Sequence, residues 1–320
     1  MKNKTVKTLN IGFKRTCDCP DGKLNCLSAK DWIKNQVAIW ECYYEKRDIR
    51  DKEIHPAAFP ISLPARCIEL FTHRGELVLD PFVGTGSTLI ATQDRERNAV
   101  GFDLKEEYVD LSNSRLNQPS LFGSSLTQIA VKDDARNIPS YLEKESVALS
   151  VTSPPYANML NTERRNKSMR SDLRKKHYGK VFQYSNDLRD LGTMEIGGYT
   201  KTLAEIYEKI LPLLKPKAHC VINVNDLWSN NHRTLIHVDI VKALESVGYE
   251  LRNIIIWDKR NLVNKVGIFG WPSNYITLSI TFEYILDFWK PAASPIVPRQ
   301  RLSKPKSRYR DEICWSRLAY

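Results

Sequence analysis

Glu76-Leu-Val-Leu-Asp80-Pro-Phe-Val-Gly-Thr-Gly-Ser-Thr88 decides the fold. Three apolar residues between two acids read as a short buried strand. A glycine turn follows, and residues 87–95 have helical apolar spacing. Gly84 and Gly86 allow backbone close to a ligand, and the helix start beyond them offers free N–H groups. A phosphate-gripping loop needs a Lys after its last glycine, and Ser87 stands there. A dinucleotide turn carries a third glycine where this chain has Leu89. Asp80, closing the strand, would repel a pyrophosphate and suit a ligand with a cationic amine.

Outward from this turn, strand-like and helix-like segments alternate. Residues 98–103, 126–131 and 147–152 read as strands, with a helix at 105–116. Helices over 199–214 and 234–247 flank a short strand at 220–224. Residues 251–257 and 282–289 are strands rich in β-branched and aromatic side chains. This predicts an α/β fold with helices on both faces of a mostly parallel sheet. The last two strands, with no clear helix between them, form an antiparallel edge. The first fifty residues, residues 157–198 and the tail after Lys290 are expected to lie outside the sheet. Asp103 ends the second strand, 19 residues after Gly84, where a carboxylate can accept from ribose hydroxyls. Asp134 follows the third strand and is expected beside a purine amino group. Together these acids describe a site for a nucleoside with a positively charged tail, and S-adenosylmethionine fits.

Thr152-Ser-Pro-Pro-Tyr156 ends the fourth strand, at the strand end where α/β sheets carry their sites. The paired prolines fix the backbone and remove two N–H donors. Tyr156 supplies an aromatic face. A planar base with an exocyclic amine needs such a rigid acceptor pair beside a stacking ring. The amine is a poor nucleophile because its lone pair is delocalised into the ring. Hydrogen bonds accepted from it by Ser153 Oγ and the Pro154 carbonyl would localise that pair for attack on a methyl sulfonium. The base must leave the stack to reach the pocket.

These two motifs resemble the cofactor and catalytic motifs of the S-adenosylmethionine-dependent DNA amino-methyltransferases. His55-Pro-Ala-Ala-Phe-Pro60, Gly101-Phe-Asp-Leu104, Asp133-Asp-Ala135, Gly270-Trp-Pro272 and the segment Phe282 to Pro291 resemble further elements of that family, over roughly residues 30 to 291. The resemblance implies the Rossmann-like methyltransferase fold and a flipped target base stacked on Tyr156. The catalytic residues would be Ser153, Pro154, Pro155 and Tyr156. The cofactor residues would be His55, Pro56, Phe59, Asp80, Pro81, Phe82, Gly84, Gly86, Thr88, Asp103, Leu104, Asp134 and Ala135. Ser153 at the first motif position resembles the N4-cytosine members, whereas adenine-N6 members more often show Asp or Asn. The cofactor motif precedes the catalytic one, the reverse of many N4-cytosine members. A C5-cytosine mechanism needs a ring-attacking thiolate, and no Pro-Cys dipeptide of that type occurs.

Composition bounds the partners. The 320 residues carry 48 Lys and Arg against 37 Asp and Glu, for a net charge of +11. Residues 163–180 and 291–310 each carry +6, which leaves −1 for the rest. Two concentrated basic stretches on a near-neutral body point to a polyanion. Arg164, Arg165, Lys167, Arg170, Arg174, Lys175 and Lys176 follow the catalytic motif and are expected to contact duplex DNA phosphates. The tail is expected to grip the backbone nonspecifically. Cys17, Cys19, Cys26 and Cys42, spaced Cys-x-Cys-x6-Cys-x15-Cys, are candidate zinc or iron–sulfur ligands. They lack a Cys-x-x-Cys knuckle, and the expectation is reduced thiols without a metal. No apolar run reaches the ~18 residues of a membrane span, and no export signal is apparent.

The domain reading is an N-terminal extension (1–50), a catalytic domain (51–291) with a basic insertion (157–198), and a basic tail (292–320). The expected protein is a cytoplasmic, nucleoid-associated prokaryotic N4-cytosine DNA methyltransferase, serving either a restriction–modification system with a cognate restriction endonuclease or an orphan epigenetic role. The alternatives are adenine-N6 chemistry, an RNA amino-methyltransferase, and a non-catalytic nucleic-acid-binding protein on the same fold.

Overall fold

The computed structural model describes residues 9–49, 58–116, 126–157, 187–229, 232–262 and 280–292. The elements run α1 (Ala29–Asn35), β1 (Ile39–Glu41), α2 (Ser62–Phe71), β2 (Leu77–Asp80), α3 (Ser87–Asp94), β3 (Asn98–Asp103), α4 (Glu106–Leu116), β4 (Gln128–Lys132) and β5 (Val147–Thr152). They continue with α5 (Ile196–Ile210), β6 (Leu214–Val224), a ribbon of β7 (Leu227–Ser229) and β8 (His232–Thr234), α6 (Ile236–Ser246), β9 (Glu250–Asp258) and β10 (Phe282–Trp289).

Eight strands form one sheet in the order β1-β9-β10-β6-β5-β2-β3-β4. Every pair is parallel except those of β10, which is antiparallel to both β6 and β9. This is the Rossmann-like α/β architecture. β2 shows why its sequence makes a central strand: all four residues are buried. Leu77 and Leu79 face one core and Val78 the other, as a two-residue period requires. The first core packs α5, α6 and a 3-10 turn at Ala135–Ser140 against the sheet, and the second packs α2, α3 and α4.

The structure departs from four of these expectations. The antiparallel strand is internal, between β6 and β9, because β10 returns beside β6 and β9 adds outside it. The edge is instead β1, from the segment expected to lie outside the sheet. Its three residues pair in parallel with Ile256 to Asp258. Three residues are too few to show a period, although Trp40 is 1% exposed and packs under Arg66, 4.5 Å from its ring centroid. Strand β6 begins at Leu214 and not Cys220. Lys217 sits at φ +63 within it, and Lys-Pro-Lys at 215–217 reads as a turn. Cys42 does not join the other N-terminal cysteines: it follows β1 and is buried in the second core beside α2.

Gly101 positions the turn after β2. A Cβ there would lie 2.4 Å from Val83 Cγ2, and the Val83 N–H donates to Phe102 O at 2.8 Å. Overpacking of this kind costs about 1–3 kcal/mol. Gly101→Ala is therefore expected to lower the Tm by roughly 2–12 °C in calorimetry. Gly197→Ala is the control, since a Cβ in α5 there meets nothing within 4 Å. Its Tm should hold or rise slightly.

Among the described residues, no helix is long and apolar enough to cross a membrane.

Candidate active site

The chain runs from β2 outward through β3 and β4, then returns to β5 on the other side of β2. Ligand clefts of open α/β sheets form where the order reverses in this way, at the strand carboxyl ends. Here the two motifs of the sequence meet. Asp80 Oδ1, at the end of β2, accepts from Thr152 Oγ1 at the end of β5 (2.5 Å) and from the Phe82 N–H (3.0 Å). Burial pushes the Asp80 carboxyl up to about 6, despite the hydrogen bonds from Thr152 and the Phe82 N–H that lower it. Asp80 and Thr88 are 1% and 0% exposed, so they lie beneath the turn rather than in its cleft.

The turn itself is held from three directions. Gly84 N–H donates to Asp103 Oδ2 (3.0 Å), Gly84 O accepts from Ser112 Oγ on α4 (2.8 Å), and Gly86 N–H donates to Val83 O (2.9 Å). Gly86, at φ +83, caps α3, and a Cβ on it would stand 3.0 Å from Ser112. Its smallness serves packing on α4, whereas Gly84 faces the ligand side.

A solvent-open cleft lies at the turn. Of the residues named from the sequence, Phe59, Pro81, Phe82, Gly84, Asp103, Leu104, Asp134, Ala135, Ser153 and Pro155 line it. Asp133, from a quoted motif, lines it too, as do Tyr108, Arg189, Asp190 and Leu191, which the sequence did not single out. Asp80, Gly86, Thr88, Pro154 and Tyr156 do not line it: the first three support the turn, and Pro154 is buried. His55, Pro56 and all seven basic residues from Arg164 to Lys176 lie outside the described residues.

The cleft is electrostatically selective. Burial pushes the Asp103 carboxyl up to about 7, with Asp190 and Asp80 adding to the rise. The Lys105 and Gly84 N–H groups oppose it, at 2.9 and 3.0 Å. Burial raises Asp134 as well, but Arg136, bonded at 2.6 and 2.8 Å, holds it below the usual range. Asp134 was expected beside a purine amine; here Arg136 already occupies both its oxygens. Asp133 accepts from Tyr141 Oη (2.6 Å) and Asn137 Nδ2 (2.8 Å). Among the described residues, four lining carboxylates stand against one guanidinium, Arg189, which is engaged by Asp187 at 2.6 Å. That donor set disfavours a pyrophosphate and suits a cationic nucleoside.

The second motif sits in a network spanning four strands. Ser153 Oγ donates to the Asn223 carbonyl (3.2 Å) and lies 3.1 Å from Tyr156 Oη. Asn223 Nδ2 donates to Glu283 Oε2 (2.7 Å), which Tyr156 Oη also reaches at 3.4 Å. Lys259 Nζ pairs with Glu283 Oε1 at 2.5 Å. A hydroxyl has a single proton. With that proton given to the Asn223 main-chain carbonyl, Ser153 Oγ can only accept: it takes the Asn223 Nδ2 donor at 3.5 Å and can accept from a ligand. Glu283 lay inside a quoted motif, yet its place under Tyr156 follows only from the β6–β10 pairing. Lys259 carried no signal of its own.

The sequence model of the DNA methylase family matches residues 14–114 and 147–314, most of the chain, so this protein belongs to that family. The model of the D12 class N6 adenine-specific DNA methyltransferases matches residues 65–224. Among curated relatives, the Type II methyltransferase M.BglI of Bacillus subtilis is 36% identical over 93 residues, 29% of this chain and 26% of that protein. Type II methyltransferase M.MthZI of Methanothermobacter thermautotrophicus is 36% identical over 77 residues, 24% and 22% of the two chains. The matched stretches thus span about a quarter of these relatives' lengths. A TehB-like S-adenosylmethionine-dependent methyltransferase from Corynebacterium glutamicum superposes with a TM-score of 0.38 at 14% identity, over 71% of this chain and 86% of that one. The fold assignment rests on the sheet order itself.

Proposed function

We propose that this protein transfers a methyl group from S-adenosylmethionine to the exocyclic N4 amine of cytosine in duplex DNA, as the modification enzyme of a Type II restriction–modification system. The observation that carries the reading is the Asp80–Thr152 hydrogen bond, which joins the glycine turn directly to the Ser153–Tyr156 motif. When bound, the cofactor would supply a sulfonium methyl: the amine nitrogen would bond to that carbon, the sulfur would keep the electron pair of the broken C–S bond, and the amine's proton would pass to solvent.

The chain's own residues do the rest. Phe59, Phe82, Gly84 and Leu104 enclose the cofactor, and Asp103 accepts from ribose hydroxyls. Ser153 Oγ, its proton directed at Asn223, accepts from the target amine and localises the nitrogen lone pair. Tyr156 presents the ring on which the flipped base stacks. The Lys259–Glu283–Asn223 network positions Ser153 and Tyr156. The basic residues from Arg164 to Lys176 grip phosphates. A cognate endonuclease reading the same site is the expected partner.

Ser153 at the first motif position favours cytosine N4. The match to the D12 class favours a second reading, adenine N6, with the same mechanism. Hydrolysis of unmethylated duplex DNA after incubation with protein and cofactor, followed by nucleoside mass spectrometry, separates them. N4-methylcytosine is the expected product, and N6-methyladenine would replace the first reading with the second.

A further inference from the structure

We infer that Cys17, Cys19, Cys26 and His73 bind one zinc ion that clips the N-terminal segment to the amino-terminal side of the sheet. Three sulfurs and one imidazole nitrogen, from two distant stretches of chain, all lie within 4.8 Å of one another. Cys17 Sγ is 3.3 Å and Cys26 Sγ 3.6 Å from His73 Nδ1. In tetrahedral zinc sites, with Zn–S of about 2.3 Å and Zn–N of about 2.0–2.1 Å, sulfur and nitrogen ligands stand roughly 3.6 Å apart. The two sulfur–nitrogen distances are thus already near the spacing of a single ion, and all four donors fall within 4.8 Å. An iron–sulfur cluster would hold its ligands farther apart, around several metal atoms.

The histidine has the tautomer that a metal requires. Its Nε2 lies 2.8 Å from the Lys23 carbonyl, which can only accept, so the ring proton sits on Nε2. Nδ1 therefore carries its lone pair and points it at the sulfurs. A ligating histidine whose other nitrogen is fixed by a carbonyl is the usual outer support of a zinc site. His73 is 5% exposed, rigidly seated between α2 and β2. Soft thiolates with one imidazole select zinc over magnesium or calcium.

The surrounding backbone shows what the ion would do. Thr16 N–H donates to Arg74 O (2.8 Å), and Asn25 Nδ2 donates to Leu70 O (2.7 Å), so the cysteine loop already docks on the α2–β2 junction. That junction is at the opposite end of β2 from Asp80. The ion is therefore structural: it ties residues 14–26 to the start of the strand whose other end shapes the cofactor turn. Three ligands come from the sequence cluster Cys17, Cys19 and Cys26. The fourth is His73 in place of Cys42.

The test is elemental analysis of the full chain purified without chelator, together with the visible spectrum after cobalt exchange. About one zinc per chain is expected, with the intense ligand-field bands of tetrahedral thiolate-bound cobalt. Cys42→Ser and His73→Cys should keep about one ion per chain, and His73→Ala should fall below about 0.2. The spectrum of the unsubstituted chain keeps the inference decidable even if His73→Ala fails to fold. Absence of stoichiometric metal, a disulfide within the cluster of freshly purified protein, an iron–sulfur chromophore, or zinc lost with Cys42→Ser would each overturn it.

Discussion

Tyr156→Ala is expected to lower kcat/KM for duplex DNA by roughly 5- to 150-fold while leaving S-adenosylmethionine affinity within about twofold. The magnitude is that of one aromatic–base stack, about 1–3 kcal/mol. The selectivity follows from position: Tyr156 is three residues beyond Ser153, against the β6–β10 network, and is not part of the cofactor cleft wall. Tyr156→Phe keeps the ring and loses the hydroxyl's contacts to Ser153, Asn223 and Glu283, so its loss should be much smaller. Steady-state methyl transfer, paired with calorimetric cofactor binding, reads both. Equal defects in Ala and Phe variants would assign Tyr156 to its hydroxyl and contradict stacking.

Asp103→Ala is expected to weaken S-adenosylmethionine binding about 10- to 100-fold. A charge-assisted hydrogen bond is worth about 1.5–3 kcal/mol, and the substitution also releases Gly84 N–H from its anchor. The same carboxylate predicts a pH dependence. With its pKa raised to about 7, Asp103 is largely protonated below that value and a poor acceptor for two ribose hydroxyls. Affinity should therefore rise with pH, by up to about tenfold per unit below pH 7, and level off above it. In Asp103→Asn the dependence should be flat. The sign for folding is opposite. A carboxyl raised above its ordinary value near 3.9 binds protons more readily in the folded state, so it opposes folding increasingly as pH rises from about 4 to 7. Calorimetric titrations at pH 6, 7 and 8 test the binding half directly, and an unchanged affinity across that range would contradict it.

The reading of residues 76–88 carried far because its signals were local. The strand, the turn and the helix each occupy one window, and the absent Lys and third glycine narrowed the ligand. The paired prolines after β5 were legible for the same reason. What stayed hidden depended on contacts between distant segments. Asp80 and Thr88 belong to the cofactor motif, but only the packed sheet shows that they brace the turn from below. Asp134 looked available until Arg136, two residues on, was seen to hold it. Glu283 meets Tyr156, and Lys259 meets Glu283, only because β10 runs antiparallel between β6 and β9. β1 was too short for periodicity, and His73 lies 47 residues beyond the nearest cysteine it joins, a spacing no metal motif prescribes.

Transfer of radiolabelled methyl from S-adenosylmethionine to unmethylated duplex DNA by the purified chain tests the central claim most directly. Label should enter DNA only in the presence of the protein and should be strongly reduced by Tyr156→Ala. Cofactor binding without label in duplex DNA, across a sequence-complex substrate such as unmodified genomic DNA, would contradict it.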